Sequence, residues 1–450
     1  MNAGVHQKHN SNNKNPVFAG MTKFIKMKLW DKGITIDKKI EEFTVGNDRE
    51  MDMHIAKYDV QASIAHVRML HKINSIDANE LEQLLQGLEY LMDQIKSNTF
   101  VIEECFEDVH SKIEFEITKK FGAVGKKIHT ARSRNDQVLV ALHLYFKEEI
   151  SVVIEQTSTL FETLLDLSDA YKDMLLPGYT HLQVAMPSSF GLWFAAYAEL
   201  LIDDVYLLKA AYKVVDQNPL GSAAGYGSSF PIDREFTTQE LNFTTLKYNV
   251  VAAQMSRGKS ERTIAAALGG LCNTLARFSM DICLYMSQNF DFISFPDQLT
   301  TGSSIMPHKK NPDVFELIRG KCNRIQSLQT QMILITNNLP SGYHRDVQLL
   351  KEHMITAFEE VKSILEIFNF AIKQIIIKEV NLKDDKYTFL FTVDNMNTLV
   401  QGGMTYRDAY RAIGDQVKNG TYEPDASKKH THVGSMHNLS LDKIRAKFPK

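Results

Sequence analysis

The sequence predicts an all-α protein, a chain of three domains around a central bundle of long helices. Five stretches carry apolar residues at helical spacing, at about 138–175, 187–212, 255–290, 312–337 and 352–378. Each is about twice the mean helix length of roughly 11–12 residues, or longer. Patterns typical of β-strands are scarce along the whole chain. We therefore expect helix packing to form the core.

Changes in residue pattern divide the chain into segments. The first residues are rich in Asn, Lys and His and lack the apolar region of a secretory signal. We expect them to form a disordered tail, with Met21 or Met27 as alternative starts of translation. The expected segments are a disordered tail (1–27), an N-terminal helical domain (28–128), a central long-helix bundle domain (129–380) and a small C-terminal helical domain (381–450).

Composition and charge exclude several classes of protein. The 450 residues are 44% hydrophobic and 23% charged, so the chain can bury a large core. Its 51 Lys and Arg residues against 54 Asp and Glu residues give a net charge of -3, which argues against a nucleic-acid binder. The four cysteines form no CxxC pair, and no apolar run reaches the roughly 18 residues of a membrane helix. We expect a soluble, cytoplasmic enzyme without nucleic-acid or membrane partners.

The length of the predicted helices has a consequence for assembly. Five helices of roughly 25–38 residues would each span about 40–55 Å. They cannot all bury their apolar faces within one compact monomer, and long bundles of this kind often continue across subunits. We therefore expect an obligate homo-oligomer. A monomeric helical solenoid is the alternative, but the sequence has no fixed repeat of about 30–45 residues.

A dense polar stretch, Lys126–Gln137, precedes the first long helix. It holds four Lys or Arg residues and a His within nine residues, in a chain that is acidic overall. Arg forks bind carboxylates through two hydrogen bonds, and Asn and Ser add neutral donors. Arg134 and Asn135 are therefore candidates for anchoring a carboxylate or phosphate. The alternative is a solvated basic patch.

A second polar stretch, Pro177–Pro187, places Thr180 beside His181 in the connection between two long helices. A turn there can present both side chains to a cleft, and a His can act as acid or base near neutral pH. A lone His is more often structural, so its role depends on the other motifs.

A third polar stretch, Thr301–Asp313, contains both serines and lysines. Asn311 is predicted to cap a helix whose first residue is Pro312. The loop would then lie over a helix N-terminus, which favours anions, and Lys309 adds a full positive charge. Glu316 lies about one turn into this helix and could reach a neighbouring His.

A fourth stretch, Ser341–Glu352, carries Tyr343 and places Gln348 and Lys351 three residues apart on one helical face. The alternative is a simple interhelical turn. The small-residue segment Pro219–Pro231 is weak evidence by itself, because glycine-rich loops also let two backbones pass closely.

Metal and dinucleotide sites lack sequence support. The chain contains neither HExxH nor a GxGxxG motif after a strand. His430, His432 and His437 could be interpreted as metal ligands, but solvent-facing or capping roles are favoured. We therefore expect no metal site.

Taken together, these motifs resemble the fumarase/aspartase superfamily. The Thr301–Asp313 stretch is similar to its signature, a Gly-Ser-Ser-x-Met-Pro-x-Lys-x-Asn-Pro loop. Within the superfamily, the Arg132–Gln137 run, the double lysine of the loop and the polar residues of the fourth stretch resemble the argininosuccinate lyase family. The resemblance extends from about Leu29 to the C-terminal His-Thr-His-Val-Gly-Ser segment.

The resemblance implies a reversible elimination, argininosuccinate to arginine and fumarate, without metal or organic cofactor. It also implies a homotetramer whose active sites each draw on three subunits. Ser303 would be the base, Lys309 would stabilise negative charge, and His181 paired with Glu316 would form the other acid/base arm. The implied substrate-binding residues are Arg134, Asn135, Thr180 and Asn311, with Tyr343, Gln348 and Lys351 on the arginine side.

The chain departs from the family pattern at three places. His308 stands where Gln is expected, and Ala131 where Gly is common. The family has a substrate-binding Ser in a Phe-x-x-Ser context, whereas this chain has Phe-Thr-Val-Gly-Asn-Asp from residue 43. Thr44, Asn47 or Asp48 could take the place of that Ser.

Two other functions remain open from sequence. Another lyase of the superfamily, of the adenylosuccinate lyase, aspartase or fumarase type, would share the serine loop. Residues Tyr343, Gln348 and Lys351 favour an amino-acid-like group over a nucleotide. A non-catalytic structural relative is the other alternative, and the intact Ser303 and His181 argue against it.

Overall fold

The computed structural model describes residues 37–449, so the disordered tail expected at 1–27 lies outside the described residues. Within the described part α-helices predominate, which confirms the predicted all-α class. The helices are α1 (Lys38–Val45), α2 (Asp48–Lys72), α3 (Ala78–Lys96), α4 (Val109–Phe121), α5 (Ala123–Lys126), α6 (Arg134–Ala170), α7 (Phe190–Val215), α8 (Arg234–Glu240), α9 (Val250–Met255), α10 (Lys259–Met286), α11 (Asp313–Gln326), α12 (Leu328–Thr336), α13 (Leu350–Ile372), α14 (Thr392–Gln401), α15 (Tyr406–Asn419) and α16 (Leu441–Lys447). The strands are β1 (Leu175–Thr180), β2 (Gln183–Ser189), β3 (Gln217–Asn218), β4 (Thr245–Leu246), β5 (Ile293–Ser294) and β6 (Ile376–Ile377).

Four of the five long apolar stretches form single helices, α6, α7, α10 and α13. The longest, α6, has 37 residues and therefore spans about 55 Å. The fourth stretch is divided, and the prediction of one continuous helix there was wrong. At Ser327 the backbone N–H donates to the carbonyl of Arg324, three residues back, so a tighter turn separates α11 from α12.

The main core lies between α6, α7, α10 and α13. Aromatic rings fill much of it: Tyr197 of α7 stacks on Phe278 of α10 with ring centroids 4.0 Å apart. Phe146 of α6 faces Phe358 of α13 at 6.1 Å. None of the helices between residues 37 and 449 combines the length and apolar character that a membrane crossing requires.

Two smaller apolar clusters flank this core. One joins α2, α3 and α4 through residues such as Leu70, Leu88 and Ile113. The other joins α14 and α15 through Met396 and Ile413. These clusters lie in the segments expected to be the N-terminal and C-terminal domains, whose boundaries remain predictions.

An antiparallel hairpin of β1 and β2 joins α6 to α7, and the sequence did not indicate it. Its two-residue turn is formed by His181 and Leu182, whose φ angles of 53° and 58° are both left-handed. Such a turn twists in the sense that a hairpin requires. Pro177 and Pro187 lie within the strands. Because proline is depleted in strands, the sequence pattern did not predict the hairpin.

Candidate active site

The first candidate residues lie at the N-terminus of α6. Ser133 caps this helix: its hydroxyl accepts the N–H of Asn135, and its own N–H donates to Asp136 at 2.9 Å. The other carboxylate oxygen of Asp136 accepts the N–H groups of Gly221 and Ala223, at 3.1 and 3.0 Å. The small-residue segment after α7 therefore holds the start of α6 in place.

Arg134 points toward the start of α4. Its guanidinium contacts the carboxylates of Glu107 and Asp108, at 3.2 and 3.0 Å, and donates to the hydroxyl of Ser111 at 2.8 Å. Burial raises the pKa of Asp108, but His110, Arg134 and Ser111 more than offset this, so the net pKa is lowered. Arg134 is thus held beside two carboxylates of its own chain.

Glu107 also connects Arg134 to the fourth polar stretch. Its second oxygen lies 3.2 Å from Arg345, which donates in addition to the carbonyl of Thr44 at 2.8 Å. Gln348 donates to the same carbonyl at 2.9 Å. The structure therefore brings the α6 start and the predicted arginine-side residues onto one surface. The sequence did not predict that Glu107 links these segments, because no local pattern around Glu107 indicates ion pairs with residues so distant in sequence.

Lys351, in the first turn of α13, is almost completely buried. Its ammonium lies 2.9 Å from Asp48 and also contacts Asp52, both on α2. Gln348 precedes it in a 3-10 turn, Arg345–Leu349, rather than in the α-helix itself. Tyr343 is half-buried and borders a cavity of about 200 Å³.

The serine loop runs from Thr301 to Asn311 and is closed at its base. The N–H of Asn311 donates to the carbonyl of Thr301 at 2.9 Å. Lys310 pairs with Asp297, and the Thr301 hydroxyl donates to Asp313. The tip between these anchors is largely exposed, including the side chain of Lys309.

The hydroxyl oxygen of Ser303 accepts two backbone N–H groups. The donors are Ile305 and Met306, at 3.3 and 3.2 Å. Two donors that converge on one oxygen favour negative charge there, as in an oxyanion hole. Asn311, half-buried, places its side-chain amide 3.5 Å from the carbonyl of Gly302.

The predicted helix cap after the loop was displaced by one residue. α11 begins at Asp313, and Pro312 is its N-cap because the Pro312 carbonyl accepts the N–H groups of Phe315 and Glu316. Asn311 is held in the loop by its pairing with Thr301, so it does not cap the helix. The loop nevertheless leads directly into a helix N-terminus, as expected.

Thr180, His181 and Glu316 have exposed side chains. Among residues 37–449, no hydrogen bond or ion pair joins these three residues to one another, to the serine loop or to the Lys351 surface. The predicted site residues of one chain therefore lie in three groups that no hydrogen bond or ion pair among residues 37–449 connects: the Arg134 and Lys351 surface, the serine loop with the following helix α11, which carries Glu316, and the hairpin tip.

The C-terminal histidines form no metal site in the part of the chain that the structure describes, where no group of three or more His, Cys, Asp or Glu residues could hold a metal ion. His430 instead contacts the buried carboxylate of Asp394 at 2.9 Å. Its backbone N–H donates to the ring of His437. These contacts hold the segment after α15 against α14.

Comparison with known proteins places the chain in a family. A model of a lyase family matches residues 32–327. The argininosuccinate lyase of Parabacteroides distasonis is 53% identical over 93% of this chain and 94% of its own length. The chain belongs to the argininosuccinate lyase family. Membership makes it a carbon–nitrogen lyase, and it confirms the resemblance drawn from the motifs.

More distant relatives agree with this assignment. The argininosuccinate lyase of Thermotoga neapolitana is 39% identical over 86% of this chain and 98% of its own length. The fold also resembles a class II fumarase from Schistosoma mansoni, with a TM-score of 0.71. That likeness covers 84% of this chain and 88% of the fumarase at 16% identity, and so concerns the fold alone.

Proposed function

We propose that the chain cleaves argininosuccinate reversibly to arginine and fumarate, as a step of arginine biosynthesis. Family membership supports this function, since relatives that match nearly the whole chain are argininosuccinate lyases. The observation that carries the chemistry is the environment of Ser303, whose hydroxyl oxygen accepts two backbone N–H groups.

The reaction breaks a carbon–nitrogen bond and a carbon–hydrogen bond on adjacent carbons. The hydrogen lies next to a carboxylate and is weakly acidic, so its removal places a second negative charge on that carboxylate. Ser303, held as the alkoxide by its N–H donors, takes this proton. Lys309 and Asn311 in the same loop stabilise the dianion, and preorganised donors of this kind contribute about 3 kcal/mol or more each.

The leaving nitrogen must gain a proton as the carbon–nitrogen bond breaks. His181, supported by Glu316, supplies it directly or through a water molecule. The fumarate half lies against Arg134, Asn135 and Thr180, whose donors match its carboxylates. The arginine half lies against Tyr343, Gln348 and Lys351, beside the α6 start.

We propose further that the enzyme is a homotetramer of the cytoplasm. Two observations support shared sites: within residues 37–449 no hydrogen bond or ion pair connects the three groups of predicted site residues, and several long helices keep apolar side chains exposed. Leu200 and Leu207 of α7 are 42% and 51% exposed, and Phe370 of α13 is 57% exposed. A second and third copy would cover such faces and bring the groups together.

The test is a turnover assay that follows the ultraviolet absorbance of fumarate. The purified protein is expected to release fumarate from argininosuccinate and not from adenylosuccinate or aspartate. Release from adenylosuccinate alone would contradict the proposal and favour another lyase of the superfamily. No release from any of the three would favour a non-catalytic relative.

A further inference from the structure

Two carboxylates on one face of α2 contact the same buried lysine. Asp48 and Asp52 lie four residues apart on α2, and both contact the ammonium of Lys351. The lysine side chain is 4% exposed. The nearby cation Arg257 is already paired with Glu261 at 2.8 Å. Among residues 37–449, Lys351 is therefore the one cation in direct contact with these two carboxylates, which carry two negative charges between them.

The two carboxylates differ in whether an oxygen is left to accept a further hydrogen bond. The second oxygen of Asp52 accepts the backbone N–H of Val109 at 3.0 Å, and its side chain is 1% exposed. The second oxygen of Asp48 has no hydrogen-bond partner among residues 37–449, and its side chain is 18% exposed. Only Asp48 can therefore accept a further hydrogen bond from a ligand.

The other two residues that could replace the family's serine are less suited. The hydroxyl of Thr44 donates to the carbonyl of Ile40 at 2.8 Å. The backbone carbonyl of Thr44 already accepts hydrogen bonds from Gln348 and Arg345. Asn47 is exposed and makes no capping hydrogen bond to α2. Asp48 alone combines a free acceptor with contact to the arginine-side surface.

We propose that Asp48 determines specificity by binding a cationic nitrogen of the arginine half of the substrate through its free carboxylate oxygen. This inference rests on the proposed function. Hydrogen bonds between a carboxylate and a cationic N–H are short and strong, and a partly buried site strengthens them further. Lys351, besides contacting the arginine half, fixes the rotamer of Asp48, and Asp52 acts as a positioning residue by holding Lys351.

The electrostatics of the free chain agree with a missing cation. Burial and the charge of Asp52 raise the pKa of Asp48 by more than Lys351 and the more distant Arg257 lower it, so the net pKa lies above the ordinary value. The ionised form is thus incompletely stabilised before substrate binds. A bound ammonium or guanidinium would supply the second positive charge for the two carboxylates.

The experiment measures the reverse reaction, the joining of fumarate to an amine. Asp48→Asn keeps the shape of the side chain and removes its charge, so the KM for arginine should rise about 10-fold or more while the KM for fumarate stays unchanged. The matched control is Glu50→Gln, an exposed residue in the same helical turn that loses the same charge. This control should keep the wild-type KM for both substrates.

A second substrate in the same assay identifies which nitrogen of arginine Asp48 binds. 5-Guanidinopentanoate is arginine without its α-ammonium group. If Asp48→Asn raises the KM for arginine but not for this analogue, Asp48 binds the α-ammonium; if it raises both, Asp48 binds the guanidinium, and either result supports the inference.

An unchanged KM for arginine, in a variant with wild-type circular dichroism and melting temperature, would overturn the inference. Asp48→Ala, which removes the acceptor altogether, is used in the same assay if Asp48→Asn does not fold, with the same two outcomes. A wild-type protein that cannot join fumarate to arginine would contradict the proposed function instead, so the two failures are distinguishable.

Discussion

The Lys351 surface and the serine loop differ in how completely one chain satisfies their polar groups. Around Lys351, carboxylates, guanidinium groups and backbone carbonyls of four chain segments are linked by hydrogen bonds and ion pairs. In the serine loop, Lys309 is exposed, and the hydrogen bonds that the Ser303 side chain makes within residues 37–449 come from backbone N–H groups of its own turn. The first region is preorganised by its own chain, whereas the tip of the second is left exposed by residues 37–449.

This difference assigns the two regions different tasks. A rigid, largely buried network is suited to recognising one half of a substrate, because its donors and acceptors need no reorganisation. An exposed loop closed only at its base is suited to bringing a reactive group to that substrate and releasing the product. Substitutions in the first region should therefore affect stability and KM, and those in the second should affect kcat.

The largest expected effect is on catalysis at the serine loop. Ser303→Ala removes the base and should lower kcat by about 10²- to 10⁴-fold, the usual contribution of a positioned general base. Because the loop is exposed, the melting temperature should stay close to that of the wild type. Ser304→Ala, a neighbouring exposed serine, is the control and should keep most of the activity. Undiminished turnover of Ser303→Ala would remove Ser303 from its proposed role.

The next largest effect is on stability at the Lys351 surface. Lys351→Met leaves Asp48 and Asp52 without their common cation, and breaking a buried pair in this way costs about 3–5 kcal/mol of unfolding free energy. Denaturant unfolding measures the loss. Lys172→Met, which removes an exposed pair with Asp169, should cost only about 0–1 kcal/mol. Equal losses in the two variants would show that the buried network adds no stability.

A smaller effect is expected on the pH dependence of stability, through a buried histidine of the same region. Burial lowers the pKa of His110, but Asp59, Asp108 and Asp52 outweigh it and raise the net pKa above the ordinary 6.5. Because the folded-state pKa is the higher one, the stabilisation is complete below about pH 6.5 and is lost as pH rises through the folded value.

The difference in unfolding free energy between wild type and His110→Gln should therefore shrink from pH 6 toward alkaline pH. Calorimetry across this range measures it. A difference that grows with pH would mean that the pKa of His110 is depressed, contrary to its pairing with Asp59 at 2.9 Å.

Motifs that are contiguous in sequence were predicted well, and pairings between distant segments were not. The Thr301–Asp313 loop and its position before a helix follow from the residues themselves. The ion pairs of Glu107 with Arg134 and Arg345 join three segments, and no local pattern encodes them. The hairpin was missed because its strands contain prolines and its turn places His181 at a positive φ without Gly or Asn.

The same limit applies to the helices. Apolar spacing located the long central helices, because periodicity reports burial of one face over many turns. It did not reveal the turn at Ser327, since the apolar pattern continues across it while the backbone hydrogen bonding changes.

The most direct test of the central claim, that one chain holds only part of each active site, mixes two inactive variants. Ser303→Ala disables the serine loop, and Asn135→Leu disables the α6 surface, so neither homo-oligomer should turn over argininosuccinate. After dissociation and reassembly together, some sites should receive an intact loop from one subunit and an intact α6 surface from another, and activity should return. A mixture that forms mixed oligomers and stays as inactive as its components would contradict the account, because each chain would then hold its own complete site.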